Sequence, residues 1–230
     1  MYKRQVSVPP LELLAHRTLW AFIFFFVVLG IVGQIKELKT AIFSFNGQFR
    51  IILLASVLIA INWFFFIFAI QTNQTTEASL GYFIMPLVTV VWGLIIFRET
   101  LSVLQWFSVL LATMAVCILT FGLGVPPWIA LILSFSFSIY AVLKKKLTIS
   151  PIVSVTGEVL VLIPVGLLLL FYFHMDGEGS FGSDWKITSL LALSGPLTAA
   201  PLILFSYGTW KVNLSTAGIL QYLSLIHISE

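Results

Sequence analysis

Seven uninterrupted apolar runs, each of about 20 residues, are spread along this chain of 230 residues. A helix of that length matches the ~30 Å hydrocarbon core of a bilayer. Lipid offers the backbone no hydrogen-bond partner, and the strands of a membrane barrel would instead show alternating segments of about ten residues. We therefore expect an all-α membrane protein. Its predicted spans are 11–32, 51–70, 78–97, 101–121, 126–143, 152–173 and 187–210.

The amino-acid composition fits this fold class. Hydrophobic residues make up 60% of the chain and charged residues 9%, and the mean hydropathy is +1.08, which excludes an ordinary soluble domain. The net charge of +3 does not imply binding to nucleic acid, since in a membrane protein the positions of the charges matter more than their sum. The single cysteine, Cys117, excludes an internal disulfide and a multi-cysteine metal site, and we interpret it as a packing residue.

Lysine and arginine residues between the spans alternate from one side of the membrane to the other, which sets the orientation. Eight lie on one side, and Lys186 lies alone on the other. The positive-inside rule therefore places the first set in the cytoplasm. This set is Lys36, Lys39, Arg50, Arg98, Lys144, Lys145, Lys146 and Lys211.

The two ends of the chain look foreign to the rest of it. Residues 1–5 and 224–230 resemble translated sequencing-adaptor read-through, and we leave them out of the functional interpretation. An eighth apolar run, 212–223, has 12 residues, which is too few to span a bilayer. We therefore expect an internal fragment of a longer membrane protein.

The chain resembles itself at an offset of 140 residues, and the matched spans have opposite orientations. Five identities in about 20 positions are a weak signal, which the inverted topology strengthens. Two five-helix halves related in this way are typical of an inverted-repeat transporter, with its site near the midplane. The identical pairs are Phe65 with Phe205, Asn73 with Asn213, Thr76 with Thr216, Leu80 with Leu220 and Tyr82 with Tyr222.

Three charged residues, Glu12, Arg17 and Glu158, lie inside predicted spans, where charge is costly. Glu12, His16 and Trp20 share one helix face, with Arg17 beside them. Arg17 pairs with Glu12 or with another helix and contributes to a substrate cavity or gate; alternatively it snorkels and anchors its helix. The His16 and Arg17 pair is suited to binding an anion or relaying a proton.

Glu158 lies about seven residues into the sixth predicted span, without an obvious partner. A lone carboxylate at that depth is poorly solvated and would exchange protons near neutral pH. It is our candidate for proton coupling. The alternative is a buried carboxylic acid that is hydrogen-bonded to a neighbouring helix for packing.

Glu77 opens the third predicted span, in which Tyr82 and Pro86 follow. A carboxylate at a helix start fits the macrodipole, and the alternative is a site for a cation or a proton at the outer mouth. Pro86 frees a backbone carbonyl, which protein or cavity water must satisfy. Two prolines in the seventh span, Pro196 and Pro201, indicate a broken or bent helix beside a cavity, whereas the serines of the fifth span are typical packing residues.

Several motifs together form a recognisable set. They are Glu12-Leu13-Leu14-Ala15-His16-Arg17 with Trp20, Asn62-Trp63, Glu77-Ala78-Ser79-Leu80-Gly81-Tyr82-Phe83 with Pro86, Gln105-Trp106, Phe135-Ser136-Phe137 with Tyr140, Lys145-Lys146, and Ser215-Thr216 with Gln221-Tyr222. From about residue 6 to 222 the chain resembles the RarD family, in the EamA group of the drug/metabolite transporter superfamily.

This resemblance implies ten helices in two inverted five-helix repeats in a bacterial inner membrane. Residues 6–121 would form the first repeat without its first helix, and residues 126–223 an incomplete second repeat. RarD-type proteins are described as chloramphenicol-sensitivity permeases. The resemblance therefore implies a secondary active transporter that exports small metabolites or drugs by alternating access, with proton coupling as a further expectation.

We expect a small-molecule substrate and a lipid bilayer as partners, and no nucleic acid, cofactor, metal or catalytic residue. The sequence contains neither a His-Glu-x-x-His nor a Gly-x-Ser-x-Gly motif that would indicate an enzyme. A non-transporting structural or regulatory membrane protein is the alternative. A polar cavity touching Arg17, Tyr82 and Glu158 would favour transport, and a closed, dry bundle would favour the alternative. The predicted cavity or gate residues are His16, Arg17, Trp20, Asn62, Trp63, Glu77, Tyr82, Pro86, Tyr140, Gln221 and Tyr222.

Overall fold

A computed structural model describes residues 8–43, 47–123, 127–176 and 179–228. Within these ranges the regular structure is entirely helical, and seven of the helices are long and apolar enough to cross a membrane. The predicted all-α membrane fold with seven spans is therefore confirmed. In chain order the helices are α1 (Pro10–Val32), α2 (Ile35–Phe43), α3 (Gly47–Gln71), α4 (Thr75–Phe97), α5 (Val103–Leu123), α6 (Trp128–Lys146), α7 (Pro151–Met175), α8 (Trp185–Lys211) and α9 (Leu214–Ile228).

Three details of the helix pattern differ from the sequence prediction. The short helix α2 was not predicted, and it packs against α3 and α7. Helix α8 runs without interruption past Pro196 and Pro201, so of the broken or bent helix that was expected, the break is wrong. Helix α9 extends beyond the predicted limit at residue 223, whereas residues 1–5 lie outside the described ranges.

Local chemistry sets several of the helix boundaries. Pro10 and Pro151 occupy first positions of α1 and α7, where the missing N–H has no intrahelical acceptor to lose. Gly33 ends α1 in the left-handed conformation, at φ 77°, and its N–H donates to Gly30 O at 3.2 Å. The Asp184 carboxylate caps α8 by accepting from Lys186 N at 2.7 Å.

Acidic side chains also cap helices that are distant in sequence. Glu99 accepts from Leu214 N and Ser215 N, both at 2.8 Å, at the start of α9. Glu37 accepts from Ser150 N at 3.1 Å, immediately before α7. The first amides of a helix have no intrahelical acceptor and attract negative charge, so these contacts fix helix ends against one another.

The pKa of Glu99, which lies between α4 and α5, is lowered from its ordinary value. Partial burial on its own would raise this pKa, but the hydrogen bonds from Ser215 and Leu214, together with the nearby charge of Lys145, outweigh burial. Lys145 Nζ lies 3.8 Å from Glu99 Oε1. Glu99 is therefore held in its charged form at this end of the bundle.

Helices α1, α3, α6, α7 and α8 share one apolar core, to which Phe25, Ile59, Tyr140, Val159 and Leu202 contribute. Helix α4 lies beside this group and packs mainly on α6 and α9. Helix α5 lies at the periphery and buries no residue within its span.

Cys117, which is on α5, is exposed, so its interpretation as a packing residue is wrong.

Two glycines allow close helix crossings next to predicted site residues. A Cβ on Gly195 of α8 would overlap the backbone of Trp20 and Ala21 in α1. A Cβ on Gly81 of α4 would lie 3.1 Å from the backbone of Ala130 in α6. Small residues at such crossings let the backbones approach closely, and these two crossings set the spacing of α1, α4, α6 and α8.

Candidate functional site

Helices α1, α3, α4, α6 and α8 line a cavity of about 210 Å³. Four predicted site residues lie together in its wall, and we call it the Arg17 cavity. The seventh predicted span, α8, contributes Thr198 and Pro201, as its proline pattern indicated. The wall consists of Arg17, Asn62, Trp63, Phe66, Tyr82, Phe137, Thr198, Pro201, Leu202 and Phe205.

Arg17 provides the charge of this cavity. Its guanidinium carbon lies 4.6 Å from the ring centroid of Trp63, a side chain that is only 5% exposed, so the two form a cation–π contact. This inward position does not fit snorkelling. Arg17 makes no ion pair with any carboxylate among the described residues, and its Nε atom is buried without a hydrogen-bond partner. The expected pairing of Arg17 with Glu12 is therefore wrong.

Asn62 and Tyr82 are two further polar residues of the wall. Asn62 Nδ2 donates to Leu133 O at 2.9 Å and to Ser136 Oγ at 3.1 Å, which ties α3 to α6 and uses both amide hydrogens. The Tyr82 ring lies edge-on to Phe66, with centroids 5.6 Å apart. Asn62 therefore has no amide hydrogen left for a ligand, whereas Arg17 and the Tyr82 hydroxyl are donors in the same wall.

His16 and Trp20 lie away from the Arg17 cavity. The His16 ring stacks on Phe181 with centroids 4.7 Å apart, and Trp20 lies 6.4 Å from the same ring. Together with Glu12, His16 lines a separate cavity of about 470 Å³ that also includes His174. Neighbouring residues of a helix point about 100° apart, so adjacency of His16 and Arg17 in sequence does not bring their side chains into one site.

Glu12 holds the segment before α8 against α1. Its Oε1 atom accepts from Ser180 N at 2.6 Å and from Phe181 N at 3.3 Å. The His16 Nε2 atom lies 3.9 Å from the same oxygen. Glu12 therefore contributes to a contact between distant parts of the chain, and Phe181 is a partner that the sequence analysis did not find.

Glu77 and Pro86 also make contacts between helices. Glu77 Oε2 accepts from Ile129 N at 3.4 Å, so this carboxylate caps α6 in addition to lying in the first turn of its own helix. Near Pro86, Tyr222 donates to Phe83 O at 2.8 Å from α9. A backbone carbonyl about one turn before the proline thus has a partner on a neighbouring helix.

Gln221 and Tyr222 are not part of the Arg17 cavity. Gln221 lines a further cavity of about 280 Å³, together with Thr209 and Phe205. Phe205 also belongs to the wall of the Arg17 cavity. Phe205 is therefore shared by the walls of the two cavities.

Glu158 has three partners, so the prediction of a lone carboxylate is wrong. Oε1 accepts from Lys144 Nζ at 2.7 Å and from Ser154 Oγ at 2.8 Å, and Oε2 accepts from the Tyr140 hydroxyl at 2.9 Å. Lys144 also donates to Ser154. We call these four residues the Glu158 cluster, and each has a relative exposure of 3% or less.

Glu158 was predicted to be unpaired because the predicted end of α6 came too early in the chain. The predicted span 126–143 placed Lys144 in a loop, but α6 continues to Lys146 and Lys144 is buried within its last turn. Tyr140, predicted for the substrate cavity, belongs to the Glu158 cluster. The Arg17 cavity therefore touches Arg17 and Tyr82 but not Glu158.

Comparison with known proteins shows to which family this chain belongs. The model of the EamA-like transporter family matches residues 1–121. The chain is 39% identical to uncharacterized transporter YojE of Bacillus subtilis, over 97% of this chain and 75% of that protein. This chain belongs to the EamA-like transporter family. Protein RarD of Escherichia coli and protein RarD of Streptomyces exfoliatus are each 36% identical, over 96% and 93% of this chain and 75% and 68% of their own lengths.

The resemblance to RarD proteins is thus confirmed, and the EamA-like chain is a multi-pass transporter of the drug/metabolite type. No solved structure matches it. Among the described residues, no group of three or more His, Cys, Asp or Glu side chains is placed to hold a metal ion.

Proposed function

We propose that this EamA-like protein is a secondary active transporter that exports small metabolites or drugs by alternating access. Its substrate binds in the Arg17 cavity. The observation that supports this site best is the origin of the cavity wall: α1, α3 and α4 come from the first half of the chain, and α6 and α8 from the second. Transporters built from inverted repeats bind substrate where their halves meet.

The two halves, residues 6–121 and 126–223, are proposed to be inverted repeats. The end of the bundle that carries Lys145 and Lys211 faces the cytoplasm, since cytoplasmic loops and helix ends are rich in lysine and arginine. The end that carries Glu12 and Glu77 then faces outward. Export is movement from the first of these ends to the second.

Proton coupling is proposed to act through Glu158. Its carboxylate is balanced by Lys144 in the described conformation. Separation of α6 from α7 during the transport cycle would remove that balance and favour uptake of a proton by Glu158, because an unpaired buried carboxylate is costly. Proteoliposomes containing Glu158→Gln are expected to lose flux driven by a pH gradient. Unchanged flux with an unchanged pH response would contradict this role.

The proposed site is tested by filling the cavity. The chain is reconstituted into proteoliposomes, and flux of chloramphenicol and of a panel of small amphipathic metabolites is measured for wild type and two variants. Thr198→Phe places a ring in the Arg17 cavity. Leu197→Phe is the matched control, because Leu197 is the preceding residue of α8 and is 71% exposed outside the cavity wall.

We expect Thr198→Phe to abolish flux of every transported compound and Leu197→Phe to retain it. Wild-type flux in Thr198→Phe would exclude the Arg17 cavity as the route. Absence of flux in the wild type for the whole panel would favour the non-transporting structural or regulatory alternative.

A further inference from the structure

The Arg17 cavity has a positive charge without a counter-ion. Arg17 contacts the Trp63 ring, and no acidic side chain lines the wall. The nearest acidic residue of the same helix, Glu12, accepts hydrogen bonds from Ser180 and Phe181 instead. The other deeply buried carboxylate, Glu158, is paired with Lys144. Within the described part of the chain, neutralisation of Arg17 is therefore left to a ligand.

The remaining surface of the cavity is mainly aromatic. Phe66, Phe137 and Phe205 line it together with Trp63, and Pro201 and Leu202 add aliphatic surface. Walls of this kind bury a flat, apolar body by removing its surface from water. The volume of about 210 Å³ is below the ~300 Å³ at which pockets for drug-sized ligands begin, so the cavity suits a small compound.

We infer that the substrate class is a small organic monoanion, a carboxylate attached to an aromatic or similarly flat apolar group. The inference rests on the proposed function and adds the chemistry of the substrate. The carboxylate pairs with the Arg17 guanidinium, whose planar fork matches two carboxylate oxygens, and the Tyr82 hydroxyl is available as a further donor. The apolar group packs among the three phenylalanines.

A single negative charge fits this site better than two or none. One guanidinium neutralises one carboxylate, and a dianion would carry an uncompensated charge into a mainly apolar cavity. A neutral compound would leave Arg17 uncompensated. A cation would add a second positive charge where no carboxylate lines the wall.

Binding of three probes that share a ring tests this inference. Benzoate, benzyl alcohol and benzylamine carry a negative, a neutral and, when protonated at neutral pH, a positive group. Their affinities are measured by calorimetric titration of the full chain in lipid nanodiscs. Arg17→Gln removes the proposed partner, and Arg50→Gln is the matched control, because Arg50 is exposed at the start of α3. Arg17→Lys keeps the charge if the glutamine variant does not fold.

We expect the wild type and Arg50→Gln to bind benzoate at least about tenfold more tightly than the other two probes. The preference disappears in Arg17→Gln and persists, more weakly, in Arg17→Lys. Equal binding of the three probes by the wild type, or an undiminished preference for benzoate in Arg17→Gln, would overturn the inference. Failure of the transport proposal is distinct, because it appears as wild-type flux through Thr198→Phe or no flux at all.

Discussion

Lys144 and Arg17 are two cations inside the same bundle with opposite surroundings. Lys144 is buried with Glu158, Ser154 and Tyr140 and forms an ion pair at 2.7 Å. Arg17 is partly buried at a cavity, touches an aromatic ring and has no acidic partner in the described ranges. The first cation is neutralised by the protein, whereas the second is open to an external partner.

The difference shows that the role of a charged residue within a membrane span depends on its partners. A charge in a span is costly wherever it lies, so its presence alone marks a candidate for function. Its partners decide the role: a fully paired charge can hold helices together, and an unpaired charge beside a cavity favours binding. By this criterion the Arg17 cavity is the candidate for ligand binding, and the Glu158 cluster joins α6 to α7.

The largest effect is expected from Lys144→Met. Removing the lysine leaves the Glu158 carboxylate buried without its counter-ion, and the free energy of unfolding falls by about 3–5 kcal/mol. The measurement is denaturant unfolding in mixed micelles, followed by tryptophan fluorescence. Lys146→Met is the control, because Lys146 is exposed and its loss costs less than about 0.5 kcal/mol. Equal stability of the two variants would contradict the claim that Lys144 neutralises Glu158 inside the bundle.

A smaller loss of stability is expected from Tyr140→Phe. This change removes only the hydroxyl that donates to Glu158 at 2.9 Å, and hydrogen bonds to charged groups contribute about 1.5–3 kcal/mol. Tyr207→Phe, at a residue that is 52% exposed, serves as its control in the same unfolding assay. A Tyr140→Phe protein as stable as this control would show that the hydroxyl does not stabilise the Glu158 cluster.

Glu99 is a paired acidic group outside the spans, and its effect on stability is expected to depend on pH. Its pKa is lowered in the folded protein, so its stabilising effect is present above the unfolded value of about 4.3 and is lost as the pH falls through the folded value. We expect Glu99→Gln to cost about 0.3–1 kcal/mol at pH 6 and progressively less towards pH 3. Unfolding curves at several pH values check this. A cost that does not vary with pH would contradict it.

Arg17→Met is expected to change stability only slightly. Arg17 forms no ion pair, and replacing a partly buried cation by an apolar side chain leaves no opposite charge unpaired. The free energy of unfolding should fall by less than about 1 kcal/mol, while binding of benzoate is lost. A fall in the free energy of unfolding as large as that of Lys144→Met would indicate that Arg17 has a counter-ion. It would contradict the distinction between the Arg17 cavity and the Glu158 cluster.

Much of this arrangement could be predicted from the sequence because hydropathy and helical spacing are local signals. Apolar runs located all seven spans. Four of the eleven residues predicted for the cavity or gate, Arg17, Asn62, Trp63 and Tyr82, line one cavity.

The remaining site contacts depend on tertiary packing. A three-residue error at the end of α6 was enough to hide the ion pair between Lys144 and Glu158. Likewise, the contact of Glu12 with Ser180 joins residues 168 positions apart, and no periodicity of α1 could indicate it.

Cysteine accessibility tests most directly the claim that the Arg17 cavity is open and positive while the Glu158 cluster is closed. With Cys117 replaced by serine, Thr198→Cys probes the cavity and Ser154→Cys probes the cluster, where Ser154 is 1% exposed. Two thiosulfonate reagents, one anionic and one cationic, are compared in membrane vesicles. We predict that Thr198→Cys reacts, roughly tenfold faster with the anionic reagent, and that Ser154→Cys does not react. Equal rates with both reagents, or equal reactivity of the two cysteines, would contradict the account.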